Sequence, residues 1–475
     1  MKYEACIGLE THVMQKTRTK MFCGCKHEYG AEPNTNVCPV CLGYPGALPM
    51  LNAKAIELCC KAGLLLGCEI NPHSKWDRKN YFYPDMSKNY QITQADQPLC
   101  LGGQIVTEVN GEMKTFTIER IHQEENAAKN THAASGSLID YNRAGTALME
   151  IVSTPCMHSA DDAFAYIQAL KLIMEYGGIS DCDLEKGHMR SDVNVSVRPA
   201  GQEKLGAKVE IKNMNSPSFI VEAIKFEIAR QIEVIENGGK VVQETRGYDS
   251  ERGETFSQRT KEDAHDYRYF PEPDLLPVEI SAAQIAKWKS ELPELPVQRR
   301  ERYVRELGLP DYDAKVLTAE KHISDFFDAA CKLTTQYKLV SNYMMGKVAS
   351  LVTEKCVRVV DSHLTPAQLA EVADMVGVRG TISSSAANKL IELLFIDDCD
   401  PKAIVEAEGM AQVNDDSALE KWAEEAIAGN AKAVADYKAG NPASVNALMG
   451  YVMKQSKGKA NPPAVIAMLK KKLDV

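Results

Sequence analysis

The chain has 475 residues, 44% hydrophobic and 25% charged, with a formal net charge of −10. This is ordinary globular composition with material for two or three domains, and it excludes a disordered chain. The negative balance argues against a protein that coats nucleic acid nonspecifically while leaving room for a local basic patch. No signal peptide and no eighteen-residue apolar run is apparent, so a membrane role is not expected.

At the N-terminus Tyr3, Ala5, Ile7 and Leu9 alternate with Glu4, Cys6, Gly8, Glu10 and His12, which predicts a strand with Glu10 and His12 on one side. A carboxylate beside an imidazole suits a divalent metal. Cys23 and Cys25, then Cys38 and Cys41, are separated by a twelve-residue loop and can close a tetrahedral Zn²⁺ shell. A disulfide pair is the alternative, but the ten further cysteines have no framework spacing, as expected in a reducing cytoplasm. Four thiolates leave a metal no open position, so the loop 23–41 is predicted to be structural.

The stretch from Asp77 to Tyr90 interleaves Arg78, Lys79 and Lys88 with aromatic rings, and His265 to Asp274 does the same around Arg268. Such patterns suit stacking of a base beside phosphate contacts, and a packed surface loop presents the same pattern. Ile118–Asn126 reads as a strand end bearing Arg120, His122, Glu124 and Glu125, and Glu150 interrupts an apolar strand, where a carboxylate needs a partner or a metal.

Ser159 predicts a helix start, with Phe164, Ile167, Leu170 and Met174 on one face and Gly177-Gly178 at its end. In Met189–Arg198, Val193, Val195 and Val197 alternate with Arg190, Asp192, Asn194, Ser196 and Arg198, and Lys208–Lys212 is the predicted hairpin partner with Lys208, Glu210 and Lys212 on its polar side. A second helix spans Ser218 to Asn237. The economical architecture is an α+β domain with helices on one sheet face. For any single strand the polar side is ordinary solvation; several agreeing strands suggest instead a surface where Asp192, Glu210 and the other carboxylates hold Mg²⁺ and Arg190, Arg198, Lys208 and Lys212 meet phosphate.

Five prolines between Pro271 and Pro296 predict a stiff connector with at most a short helix, and beyond Asp311 the pattern is amphipathic helix throughout. The end is basic, with Lys454, Lys457, Lys459, Lys470, Lys471 and Lys472 against Asp474, which suits tRNA phosphate or a solvated helix end. No Walker loop, Rossmann fingerprint, kinase signature or nucleophile elbow is present, so an ATP site would be built from sheet and carboxylates.

Ile7-Gly-Leu-Glu-Thr-His, Gly30-Ala-Glu-Pro-Asn-Thr, Cys38-Pro-Val-Cys-Leu-Gly, Arg78-Lys-Asn-Tyr-Phe-Tyr-Pro-Asp, Asp140-Tyr-Asn-Arg-Ala-Gly, Val209-Glu-Ile-Lys-Asn, Ala264-His-Asp-Tyr-Arg-Tyr-Phe-Pro and Lys457-Gly-Lys-Ala-Asn-Pro, in this order, resemble GatB, the family of B subunits of the aspartyl/glutamyl-tRNA amidotransferases. The resemblance implies a catalytic cradle of the glutamine synthetase and guanidino kinase type over 1–292, a helical domain over 293–405 and a YqeY-like tRNA-binding tail over 406–475. It further implies an enzyme, a glutamine-hydrolysing ligase in a heterotrimer with an amidase (the A subunit) and the small C subunit. With ATP and Mg²⁺ it phosphorylates the side-chain carboxylate of Glu or Asp mischarged on tRNA, and ammonia then displaces phosphate.

On the same basis Glu10, His12, Glu124, Glu125 and Glu150 match the metal site, Asp192 and Glu210 are candidates for a second ion, and Lys79 and Lys88 match the ammonia path. The chain departs from the family pattern at Asn126, Ala128, Cys156 and Pro217. A noncatalytic tRNA-binding scaffold of the same fold and a free-standing carboxylate and amine ligase are the competing readings.

Overall fold

The computed structural model describes residues 2–133, 136–214, 216–260, 267–412, 416–439, 441–456 and 460–473. Residues Met1–Leu295 and Pro296–Val475 form two compact units, the first mixed α/β and the second helical.

The first unit is organised by a ten-stranded sheet. Its long central strand, Tyr3–Met14, lies antiparallel between Met189–Pro199 and Ala147–Ser153, and Ala147–Ser153 in turn pairs with Glu112–Glu125. The predicted alternation is realised on this strand. Ile7 faces Val195 and Leu9 faces Val193 across the ladder, all four fully buried, whereas Glu10 and His12 project from the other side. Strand Val209–Lys212 pairs with Met189–Pro199 as expected, and also lies parallel to Glu244–Asp249. The helix Pro217–Glu236 makes the crossover that a parallel pair requires.

That helix and Ala160–Tyr176 belong to the same apolar core as the buried side of the sheet. Ser159 caps Ala160–Tyr176 by accepting from the Asp162 N–H, and Asp161 and Asp162 favour the positive helix end. Ala163, Ile167, Leu170 and Met174 are buried along one stripe; burial of a side chain such as Leu170 is worth about 1.5–3 kcal/mol. Phe164, expected on that stripe, is instead 41% exposed, because it is offset by one residue from Ala163, which faces the sheet. Pro217, one of the departures from the family pattern, occupies the first turn of its helix, where a proline needs no hydrogen-bond partner.

Asp77–Asn80, Tyr90–Thr93 and Phe270–Pro271 form a small three-stranded sheet, so the two aromatic and cationic clusters of the sequence are one structure. The proline-rich connector is also structured: Ser281 and Gln284 form a capping box for the helix Ala282–Ser290, and Glu291 pairs with Lys61 at 2.8 Å.

The second unit is helical from Pro296 onward, earlier than the expected Asp311. It holds one core around Phe327, Leu369 and Leu390 and another around Leu448, Val465 and Leu469. Among the described residues no helix is long and apolar enough to cross a membrane.

Candidate active site

Cross-strand register assembles the polar side of the sheet into a row. His122 stands opposite Glu150, Glu150 opposite His12, and His12 opposite Arg190, which brings together residues up to 178 positions apart in sequence. His12 Nε2 is 3.4 Å from Glu124 Oε1 and 3.7 Å from Glu150 Oε2, and His122 Nε2 is 3.1 Å from Glu150 Oε2. Ligand atoms of His12, Glu124 and Glu150 all lie within 4.8 Å of one another. One imidazole and two carboxylates form a hard donor set that fits a divalent cation, with positions left for water or substrate oxygen. Burial works against the Glu150 charge, yet the His122 hydrogen bond and the fields of His12, His122 and Lys79 outweigh it and lower the pKa well below the usual glutamate range.

The other expected ligands are placed differently. Glu10 is one ladder position along, its Oε1 accepting from Asn194 Nδ2 at 2.8 Å. Glu125 does not join the three ligands: it follows Glu124 on an extended strand and faces the opposite side, where it pairs with Lys88 and accepts from the Ile92 N–H at 2.9 Å. Asp192 and Glu210 are held together by Lys212, at 2.8 and 3.0 Å, and Thr245 donates to Glu210 at 2.9 Å.

A cavity of about 300 Å³ opens beside this row, lined by His12, Lys79, Glu124, Asn126, Arg143 and Arg190 among others. Lys79 lies over the Tyr267 ring at 4.7 Å. Burial disfavours its ammonium, but Glu124, Tyr269, Tyr267 and Glu150 prevail and raise its pKa, so it is a cation here. The remaining phosphate candidates are more distant or otherwise engaged. Arg198 is bound to Glu4 at 3.1 Å near the opposite strand end, Arg268 sits over Phe82, Lys208 is exposed beside the Glu210 strand, and of these expected cations only Arg190 lines the cavity. Arg78 stacks on Tyr90 at 4.3 Å and forks onto Glu272 at 2.7 and 2.8 Å, so its ring contacts are internal packing.

Sequence reasoning missed Arg143. It lies on a turn with no periodic signal, and its environment depends on residues far away in sequence. Nη2 donates to Asn126 Oδ1 at 2.9 Å, while Nε is buried without a hydrogen-bond partner. Burial, then the neighbouring Arg190, push its pKa down to about 10, with Asp85 opposing.

The four cysteine sulfurs Cys23, Cys25, Cys38 and Cys41 also lie within 4.8 Å of one another. A tetrahedron with metal–sulfur bonds of about 2.3 Å has edges of roughly 3.8 Å, so small side-chain adjustments close it around zinc. The Cys23 hydrogen bond pulls the Cys41 thiol down to about 4 against the effect of burial, with the Cys38 N–H and Lys20 assisting. Lys20 Nζ is 3.4 Å from Cys41 Sγ. The loop is tied to the turn carrying Arg143: Asn34 N–H donates to Asp140 at 3.0 Å, Asn36 N–H to Asn142 Oδ1 at 2.8 Å, and Lys20 to the Tyr141 carbonyl at 3.1 Å.

Comparison with known proteins shows the family. The GatB/GatE catalytic domain model matches residues 5–286, and a GatB domain model matches residues 325–473. The chain belongs to the GatB family. Full-length relatives named as the B subunit of aspartyl/glutamyl-tRNA(Asn/Gln) amidotransferase include those of Persephonella marina, 48% identical over 474 residues, and Thermoanaerobacter sp., 47% identical over 474 residues, each match covering 100% of both chains. That of Carboxydothermus hydrogenoformans is 46% identical over 477 residues and 99% of each chain.

Against the family pattern, Asn126 and Ala128 are both buried; the Ala128 N–H donates to the Asp85 carbonyl at 2.9 Å. Cys156 lies elsewhere, its sulfur accepting from the Thr117 N–H at 3.3 Å. In the second unit Lys454 and Lys470 to Lys472 lie near helix C-termini, and Lys472 bridges Glu420 and Glu424 at 2.7 Å each. Lys457 and Lys459 lie outside the described residues.

Proposed function

We propose that this chain is the kinase and transamidation component of a cytoplasmic amidotransferase acting on Glu-tRNA(Gln), Asp-tRNA(Asn) or both, partnered by an amidase (the A subunit) and the small C subunit. The observation that carries the reading is the convergence of His12, Glu124 and Glu150 beside a cavity that also holds Lys79, Arg143 and Arg190. A side-chain carboxylate is a poor acyl donor, and phosphorylation from ATP gives it a leaving group.

His12, Glu124 and Glu150 would hold Mg²⁺, with Glu10 adjacent and Asp192 and Glu210 as candidates for a second ion. Bound there, Mg²⁺ supplies neutralisation of charge on the transferring phosphoryl oxygens. The protein's own part is placement: strand register fixes the ligands, and Arg190 supplies positive charge where the phosphoryl group travels. Lys79 and Lys88 belong to the route of ammonia. A protonated Lys79 puts a fixed positive charge on that route, which disfavours ammonium there and so supports arrival of the nucleophile as neutral NH₃.

Three parts serve this reaction: a cradle of the glutamine synthetase and guanidino kinase type over 1–292 pinned by a structural Zn²⁺ at the cysteine quartet, a helical domain over 293–405, and a YqeY-like tail over 406–475. Lys454, Lys470 and Lys471, with Lys457 and Lys459, are the tail's candidates for tRNA phosphate; Lys472 is already engaged by two carboxylates.

The test is ADP formation by the assembled complex. Mischarged tRNA should stimulate it, and Glu10→Ala should abolish it with the fold intact. ADP release indifferent to the aminoacyl group would reject the proposal.

A further inference from the structure

The cavity beside His12 is one of two that share a wall. The second, of about 690 Å³, lies against Tyr29, His188 and Met214, and Arg143 and Arg190 line both. Neither guanidinium forms an ion pair with a described residue. Arg143 is half-buried and Arg190, lining the same two cavities, is exposed on its strand; two neighbouring guanidinium charges with no acid between them repel each other, and an anion placed between them would relieve that repulsion.

The local contacts around Arg143 sharpen this. Asn126, 3% exposed, gives the guanidinium a neutral carbonyl acceptor rather than a carboxylate. Its Nδ2 is itself buried without a hydrogen-bond partner, as is Arg143 Nε. Two unspent N–H donors and two adjacent cations therefore meet at the junction of the cavities. The turn carrying Arg143 is anchored by Asn34 and Asn36 of the cysteine loop and by Lys20, and the side chain itself is tied to Asn126 through Nη2.

We infer that Arg143 and Arg190, with the Asn126 amide, form an oxyanion clamp at the junction of the two cavities that binds a phosphate group of a polyphosphate chain beside the His12, Glu124 and Glu150 cluster. This rests on the phosphoryl-transfer reading above and deepens it by naming Arg143 as a binding residue. Guanidinium is suited to this role because it offers planar paired donors to phosphate oxygens.

The experiment measures tripolyphosphate binding to the full-length chain by calorimetry, in magnesium-free buffer with zinc retained. Arg143→Gln removes the fork. Asn126→Asp is isosteric and supplies the missing carboxylate, which would neutralise Arg143 internally. Each should weaken tripolyphosphate by about tenfold, while Lys16→Gln, an equal loss of charge at an exposed site, should leave it unchanged. Thermal melts confirm that Asn126→Asp remains folded.

A parallel titration with uncharged tRNA separates the two sources of phosphate and should be insensitive to Arg143→Gln. Equal tripolyphosphate affinity in wild type and both variants, absence of tripolyphosphate binding by wild type, or loss of tRNA affinity alone would each overturn the clamp. A complex that amidates tRNA with unaltered polyphosphate affinity in the variants would reject the clamp and keep the function; Arg143-dependent binding in a complex that makes no amide would do the reverse.

Discussion

Glu124 and Glu125 are consecutive in sequence and serve opposite sides of one strand. Glu124 Oε1 approaches His12 Nε2 at 3.4 Å in the metal-ligand cluster, whereas Glu125 is buried against Lys88 and the Ile92 N–H behind it. Their glutamine variants should therefore fail differently. Glu124→Gln should weaken Mn²⁺ binding, used as a probe for the Mg²⁺ site, with little change in stability. Glu125→Gln should keep the metal but leave the Lys88 charge uncompensated, at about 3 kcal/mol in urea unfolding. Matching losses of metal in both variants would contradict this division.

Acid should act on the other end of the row. Burial works against the Glu210 charge, but Lys212 and Thr245 overcome it and hold its pKa below the ordinary value of 4.5. The native state thus binds that proton more weakly than the unfolded chain does. The group stabilises the fold above the unfolded pKa, and its contribution is lost as pH falls through the lower native value. Stability of Glu210→Gln should decline less steeply than wild type below about pH 4.5. Identical acid slopes would remove the Glu210 and Lys212 pair from the account.

The legible part of this molecule is whatever depends on local period. Alternation over Tyr3–Met14 and Met189–Pro199 places Glu10, His12 and Asp192 on one side, and Ser159 marks its helix start. The same period-two rule separates Glu124 from Glu125, although the family pattern assigns both to the metal. What period cannot supply is register between distant strands, so the facing of His12 by Glu150 and the parallel pairing of Val209–Lys212 with Glu244–Asp249 emerge only in the sheet. Arg143 on its turn and the capture of Lys472 by Glu420 and Glu424 are long-range facts of the same kind.

Removal of zinc should be felt first as stability. The cysteine loop contacts the Asp140–Asn142 turn and packs at Gly43, whose φ is 71° and where an added Cβ would approach the Lys88 Cα to 3.0 Å. Chelation should lower the thermal midpoint by roughly 5 °C and expose the four thiols to a colorimetric reagent. A zinc-free chain with an unchanged midpoint and protected thiols would contradict a structural role.

Gly43→Ala should also be destabilising, by about 1–3 kcal/mol, since alanine is strained at that φ and the contact is with backbone. Denaturant midpoints of variant and wild type check this, and a neutral substitution would show that the loop does not press on Lys88 as described.

The most direct measurement of the central claim is amidated product formed by the purified complex from Glu-tRNA and Asp-tRNA, assayed side by side with ATP, Mg²⁺ and glutamine, using wild type and His12→Ala. The account predicts Gln-tRNA, Asn-tRNA or both from wild type and none from His12→Ala at equal complex assembly. Undiminished product from His12→Ala, or no product from wild type with either tRNA, would contradict it.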